Sequence, residues 1–176
     1  MSTIVTTATL GVGLLVARLV LGLMMAAHGS QKLFGWFGGH GLAGTGGFFE
    51  SLGFRPGRRF ATVAAVTEIT SGVLMALGLL GPIGPALMLS VMIVAAVSTH
   101  LPQGLFASSN GIEVPLLYGT GALALALTGP GRFSLDALLG LQSLWAPQVV
   151  LVAVAIGTIG GALNLLARRQ EVVASR

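Results

Sequence analysis

Five apolar stretches dominate the sequence, each close to the roughly 20 residues that an α-helix needs to cross a hydrocarbon core about 30 Å thick. They cover residues 9–31 and 60–80, a stretch from the Gly81-Pro82 turn to His100-Leu101-Pro102, and residues 112–128 and 147–167. Pro at the start and Gly-Pro at the stop of several of them punctuate helices. Residues 112–128 form the shortest. The polar content leaves little alternative to a membrane, because charged residues make up 8% of the 176 positions, against about 25% in a soluble domain. With 54% hydrophobic residues and 27 glycines, the chain is expected to be an all-α, polytopic membrane helix bundle.

The same arithmetic excludes a soluble enzyme and a disordered chain. The formal charge of +4 does not indicate nucleic acid, since the excess comes from a few arginines at membrane edges without an aromatic-interleaved basic stripe. Cysteine is absent, so thiolate chemistry, disulfide exchange and Cys-ligated clusters are excluded. Electrons for any redox step would have to come from a partner or a bound cofactor. The N-terminus does not read as a signal peptide, because it lacks a positive n-region and carries Arg18 within its apolar stretch. Lys32, Arg55, Arg58, Arg59, Arg168, Arg169 and Arg176 fall on one side of a five-helix topology and Arg132 on the other. By the positive-inside rule the C-terminus is expected in the cytoplasm.

Ionisable side chains at membrane depth are costly, and each is therefore a candidate for function. Arg18, His28, Lys32, Glu68, His100 and Glu113 are the six in question. On a wheel of about 100° per residue, Arg18, His28 and Lys32 share one face of the first helix with Gly11, Gly22 and Gly29. Glu68 shares a face with Ala61, Ala64, Ser71 and Gly72 in the second. Small residues beside polar ones mark faces packed on other helices. Depths counted from the ends of the apolar runs differ by only about 5 Å, so an Arg18–Glu68 ion pair near mid-membrane is expected. It would serve as a structural bridge or as part of a site.

His28, Lys32, His100 and Glu113 all fall at one membrane face. Beside them lies a stretch, residues 33–59, too apolar for a solvated loop and too rich in glycine for a spanning helix. We read it as an interfacial or re-entrant lid, with Trp36 and its neighbouring phenylalanines at headgroup level. A shared polar pocket under that lid is expected. Each member also has a plainer role: Lys32 snorkelling, His100 capping a helix end, Glu113 complementing a helix dipole, His40 exposed in the loop. The i, i+3 or i, i+4 pairing of helix-borne metal ligands is missing, so no metal is expected. No phosphate loop or nucleophile elbow is present either.

Several separated motifs carry a family resemblance. They are Arg18-Leu19-Val20-Leu21-Gly22, His28-Gly29-Ser30-Gln31-Lys32-Leu33-Phe34-Gly35, Gly41-Leu42-Ala43-Gly44-Thr45 and Phe48-Phe49-Glu50-Ser51-Leu52-Gly53. Glu68, His100-Leu101-Pro102-Gln103-Gly104, Asn110-Gly111, Glu113-Val114-Pro115 and the run Gly129 to Asp136 continue it. Over about residues 14–138 the chain resembles the DoxX family of small prokaryotic membrane proteins. The resemblance implies a four-helix membrane bundle over residues 1–138, and the family takes its name from a subunit linked to thiosulfate:quinone oxidoreduction. Residues 139–176 depart from the pattern by adding a fifth transmembrane helix and a short basic tail. The leading expectation is a redox-linked protein of the bacterial plasma membrane, a quinone-binding subunit or partner of an oxidoreductase or a homo-oligomer. His28, His100 and Glu113 would act on protons, and Arg18, Lys32, Trp36 and Glu68 would bind the ligand. The alternative is a non-enzymatic subunit or small-solute transporter whose buried charges fix helix packing.

Overall fold

The computed structural model describes residues 2–169 and is helical, with no strand among them. Arg176, counted above among the basic edge, lies outside the described residues. The chain runs through α1 (Ser2–Phe34), α2 (Gly41–Ser51), α3 (Gly57–Leu77), α4 (Ile83–Ala95), α5 (Glu113–Thr128), the single turn α6 (Leu135–Leu138) and α7 (Pro147–Leu166). Four spans among the described residues are long and apolar enough to cross a membrane, and α5 is a shorter apolar helix. With 16 residues, α5 is about 24 Å long at 1.5 Å per residue. The expectation of an all-α bundle is met, and residues 33–59, read as a lid, contain a helix of their own, α2.

Backbone approach fixes the register of the central antiparallel pair. A Cβ on Gly22 of α1 would lie 2.5 Å from the Gly72 carbonyl oxygen of α3, and one on Gly29 would lie 2.6 Å from that of Ala65. Only glycine permits such contact, and in lipid close packing takes over the part that the hydrophobic effect plays in water. Around this pair Met25, Met75, Met88, Met92, Ala122 and Leu125 form the buried core. The outer faces keep large apolar side chains exposed, as in Leu151, Ile156, Leu163 and Leu166 of α7. In water these would be a liability, but against lipid they are the required surface.

The register corrects one expectation. Arg18 lies one turn beyond Gly22 and is level with Gly78, whereas Glu68 is level with His28. Ten residues separate Gly78 from Glu68, about 15 Å along the axis, so no Arg18–Glu68 pair forms. Depths estimated from the apolar runs fail because α1 begins well before Thr9 and α3 before Phe60. Arg18, 2% exposed, instead donates from Nη2 to the Phe133 carbonyl at 2.6 Å and from Nη1 to that of Ala76 at 3.5 Å.

That end of the bundle is organised by Asp136, 1% exposed. Its carboxylate accepts from Leu80 N at 2.9 Å, Gly81 N at 2.8 Å and Trp145 Nε1 at 2.7 Å. Leu80, in the left-handed region at φ 63°, is strained for a residue with a branched side chain, and the two amide bonds to Asp136 hold it there. The opposite end is tied by α7. Arg168 Nε donates to the Leu52 carbonyl, and Arg169 N donates to that of Gly53 at 2.9 Å. Lys32, Arg55, Arg58, Arg59, Arg168 and Arg169 therefore share one end, with Arg132 at the other.

Candidate functional site

At the basic end Lys32 donates from Nζ to both oxygens of Glu68, at 2.6 and 2.5 Å. The lysine side chain is 29% exposed and the glutamate 6%. The pair follows from the glycine register, which brings Glu68 within one turn of Lys32. Glu68 sits among the small residues of its own face, Ala61, Ala65, Ser71 and Gly72, all buried. Among those small neighbours the Lys32 ammonium is the counter-charge that both carboxylate oxygens meet.

Three cavities converge on Lys32. The first, of about 190 Å³, lies over α4 and is walled by α2, α3 and α7. Phe48, Phe49 and Phe60 supply aromatic surface to its lining, and Ser98, Thr99, His100 and Asn164 supply polar groups. Val63, 57% exposed, and Phe48, 48% exposed, stand at its rim on the outer surface, so the cavity communicates with the lipid-facing side. A second cavity of about 110 Å³ is lined by Met25, His28, Lys32, Glu68, His100 and Tyr118, among others. A third, of about 300 Å³, lies between the end of α1 and the start of α2, beside Gln31, His40 and Thr45.

Local backbone devices place these groups. The last turn of the third span is a π-helix, Ala96–His100. π-Turns widen a helix by one residue, shift the side-chain phase and recur at functional sites. Here the shift lets Ser98, Thr99 and His100 all line the first cavity. His100 Nδ1 lies 2.7 Å from the Asn110 carbonyl, and since a carbonyl only accepts, Nδ1 carries the proton. His28 Nδ1 lies 3.2 Å from Gln31 Oε1, and Gln31 Nε2 donates to the Phe37 carbonyl at 3.1 Å. The His28 ring also meets Tyr118 edge-on at 5.9 Å. α7 is seated by Gly157 and Gly161, whose positions abut the backbone of Ala86 and Ser90, and that seating carries Asn164 to the cavity wall.

The structure thus gathers His28, Lys32, Glu68 and His100, and leaves three candidates elsewhere. Glu113 accepts from Ala107 N at 2.7 Å and ties down its own loop. Trp36, 58% exposed, packs against Phe34 at 4.8 Å and lines none of the three cavities. Arg18 belongs to the Asp136 end. Four participants had weak sequence signals. Asn164 is a lone amide in an apolar helix, Ser98 and Thr99 look like ordinary helix hydroxyls until the π-turn re-aims them, and Tyr118 reads as core. Among the described residues no group of three or more His, Asp or Glu is placed to hold a metal.

Comparison with known proteins adds two findings. The family model described as DoxX matches residues 13–101, which is α1 to the end of the π-turn. The chain is also 32% identical over 129 residues to an uncharacterized membrane protein of Mycobacterium tuberculosis, an alignment covering 68% of this chain and 76% of that protein. No solved structure matches the chain.

Proposed function

Given that the chain belongs to the DoxX family, we propose that this integral membrane protein binds a lipophilic quinone in the cavity between α2, α3, α4 and α7, as a subunit or partner of an oxidoreductase. The observation that carries the reading is the lining of that cavity. Its aromatic rings suit a flat conjugated ring, and the Lys32 ammonium and Asn164 amide suit its carbonyl oxygens. Its volume of about 190 Å³ compares with the ~150 Å³ that accommodates a benzene in an engineered protein cavity. A ring headgroup therefore fits, with its tail left among the lipid chains beyond Val63.

In this reading the Lys32 ammonium and the Asn164 amide hold the carbonyl oxygens, where negative charge develops on reduction. The His100 ring, its Nδ1–H given to the Asn110 carbonyl, packs in the wall and offers Nε2 as an acceptor to the hydroxyl of the reduced ring. Glu68 aims Lys32 by accepting from Nζ at both carboxylate oxygens. The protein resides in a bacterial plasma membrane with its basic end, and hence the end of α7, on the cytoplasmic side. Arg18 and Asp136 act at the far end as packing groups.

The test is titration of the detergent-purified protein with decylubiquinone, followed by calorimetry. Phe49→Ala and His100→Leu should each weaken binding about tenfold, the equivalent of about 1.4 kcal/mol, while the unfolding temperature stays near that of the parent. Absence of binding by the parent, or equal binding by all three proteins, contradicts the proposal.

A further inference from the structure

Lys32 is the one lysine in the sequence; the other eight basic side chains are arginines. An arginine stays protonated under all conditions relevant to a protein, whereas a lysine ammonium can give up a proton and recover it. The chain therefore holds a single basic aliphatic amine, and it stands where three cavities meet. Two of its three N–H directions are taken by Glu68 Oε1 and Oε2, leaving one. The third cavity, beside exposed His40 and with Gln31 and Thr45 in its wall, lies on the basic face and reaches the same side chain.

We propose that Lys32 is the proton donor to the ligand of the membrane cavity, and that it is recharged through the cavity on the basic face. The inference rests on the reading of the first cavity as a quinone site and goes beyond it by assigning the donor and the route. In the step, one Nζ–H bond breaks and one O–H bond forms on a carbonyl oxygen of the ligand as one electron arrives from the reduced flavin or haem of a partner oxidoreductase subunit, which is oxidised. Lys32 is left as a neutral amine beside the Glu68 carboxylate. A proton from the bulk on the basic face, relayed by water through the third cavity as that water takes up another proton behind it, then returns to Nζ, and the ammonium–carboxylate pair is restored. Two such cycles supply the two protons that accompany two electrons.

The groups facing the amine are compatible with this cycle. Glu68 of α3 is the counter-charge to the recharged ammonium, and His28 of α1, Tyr118 of α5 and His100 beyond α4 line the second cavity with the pair. Asn164 of α7 is uncharged, and Thr45 of α2 donates to the Lys32 backbone carbonyl at 3.4 Å, which fixes the start of α2 against the amine.

The decisive variant is Lys32→Arg, which keeps a cation for Glu68 and cannot donate a proton. Parent and variant, loaded with decylubiquinone on an electrode surface, are stepped to a reducing potential while infrared bands follow conversion of the bound quinone to the quinol. Lys32→Arg should bind decylubiquinone more weakly than the parent and, at quinone concentrations that saturate each protein, convert it at least about tenfold more slowly. Independently of any variant, a water-soluble acylating reagent added to the unaltered protein should modify Lys32, and decylubiquinone should suppress that modification. If Lys32→Arg does not yield folded protein, the labelling result decides. Parent-like conversion in Lys32→Arg, or no labelling of Lys32, overturns this inference alone. Failure of the parent to bind decylubiquinone overturns the quinone reading on which it stands.

Discussion

Removing either partner of the Lys32–Glu68 pair should reveal a coupling that neither residue shares with Arg18. Exposed ion pairs contribute up to about 1 kcal/mol, whereas breaking a buried one costs about 3–5 kcal/mol because a desolvated charge is left alone. With side-chain exposures of 29% and 6% the pair lies between these limits, and a coupling of about 2 kcal/mol is expected. For a chain of this size that corresponds to a fall of about 4–8 °C in unfolding temperature for Lys32→Met or Glu68→Gln. The double variant should be no less stable than the worse single one, because each substitution removes the reason for the other's cost. The assay is a thermal double-mutant cycle in mild detergent, run in parallel with an Arg18→Gln, Glu68→Gln cycle. Distant sites add to within about 0.5 kcal/mol, and about 15 Å of helix axis separates Arg18 from Glu68. Additivity for Lys32 with Glu68, together with coupling for Arg18 with Glu68, would refute the register described above.

Two further outcomes follow from the packing. Asp136→Ala strands three donors that now lie at 2.7–2.9 Å from the carboxylate. At about 1.5–3 kcal/mol per bond to a charged group, it should cost about 5 kcal/mol and collapse the melting transition followed by Trp145 fluorescence, with Asp136→Asn intermediate. Gly157→Leu forces a side chain against the Ala86 backbone, so it should lift α7 from α4, withdraw Asn164 and weaken decylubiquinone binding about tenfold by calorimetry, while α1, α3 and α4 stay folded by circular dichroism.

Much of the bundle is legible in the sequence because lipid imposes length and polarity rules on every spanning segment. The buried faces of α1 and α3 could be named from spacing alone: Arg18, Gly22 and Gly29 on one and Glu68, Ser71 and Gly72 on the other are all buried. Relative depth was not legible. It depends on where two backbones touch, at Gly22 and Gly72, and not on where hydropathy begins, which is why Glu68 was assigned to Arg18 when Lys32 holds it. Glu113 and Asp136 show the same limit from opposite sides. One looks buried by position and is spent on the Ala107 amide of its own loop. The other looks external and is drawn inward by two amides and an indole. The π-turn at Ala96–His100 carries no local sequence signature, yet it is what lets Ser98, Thr99 and His100 line one cavity. The family match ends at residue 101, while the wall contributed by Asn164 lies beyond it on α7. The candidate site therefore combines residues inside the matched region with a helix outside it.

Photo-crosslinking tests the central claim most directly. Membranes containing the protein would be illuminated with an azido-quinone carrying the photoreactive group on its ring, and the adducts located by mass spectrometry. The account predicts adducts confined to Lys32, Phe48–Leu52 of α2, Phe60–Glu68 of α3, the stretch from Ser90 to His100 and the neighbourhood of Asn164, suppressed by excess decylubiquinone. Adducts scattered over the lipid-facing residues of α1 and α7, and unaffected by competitor, would contradict it.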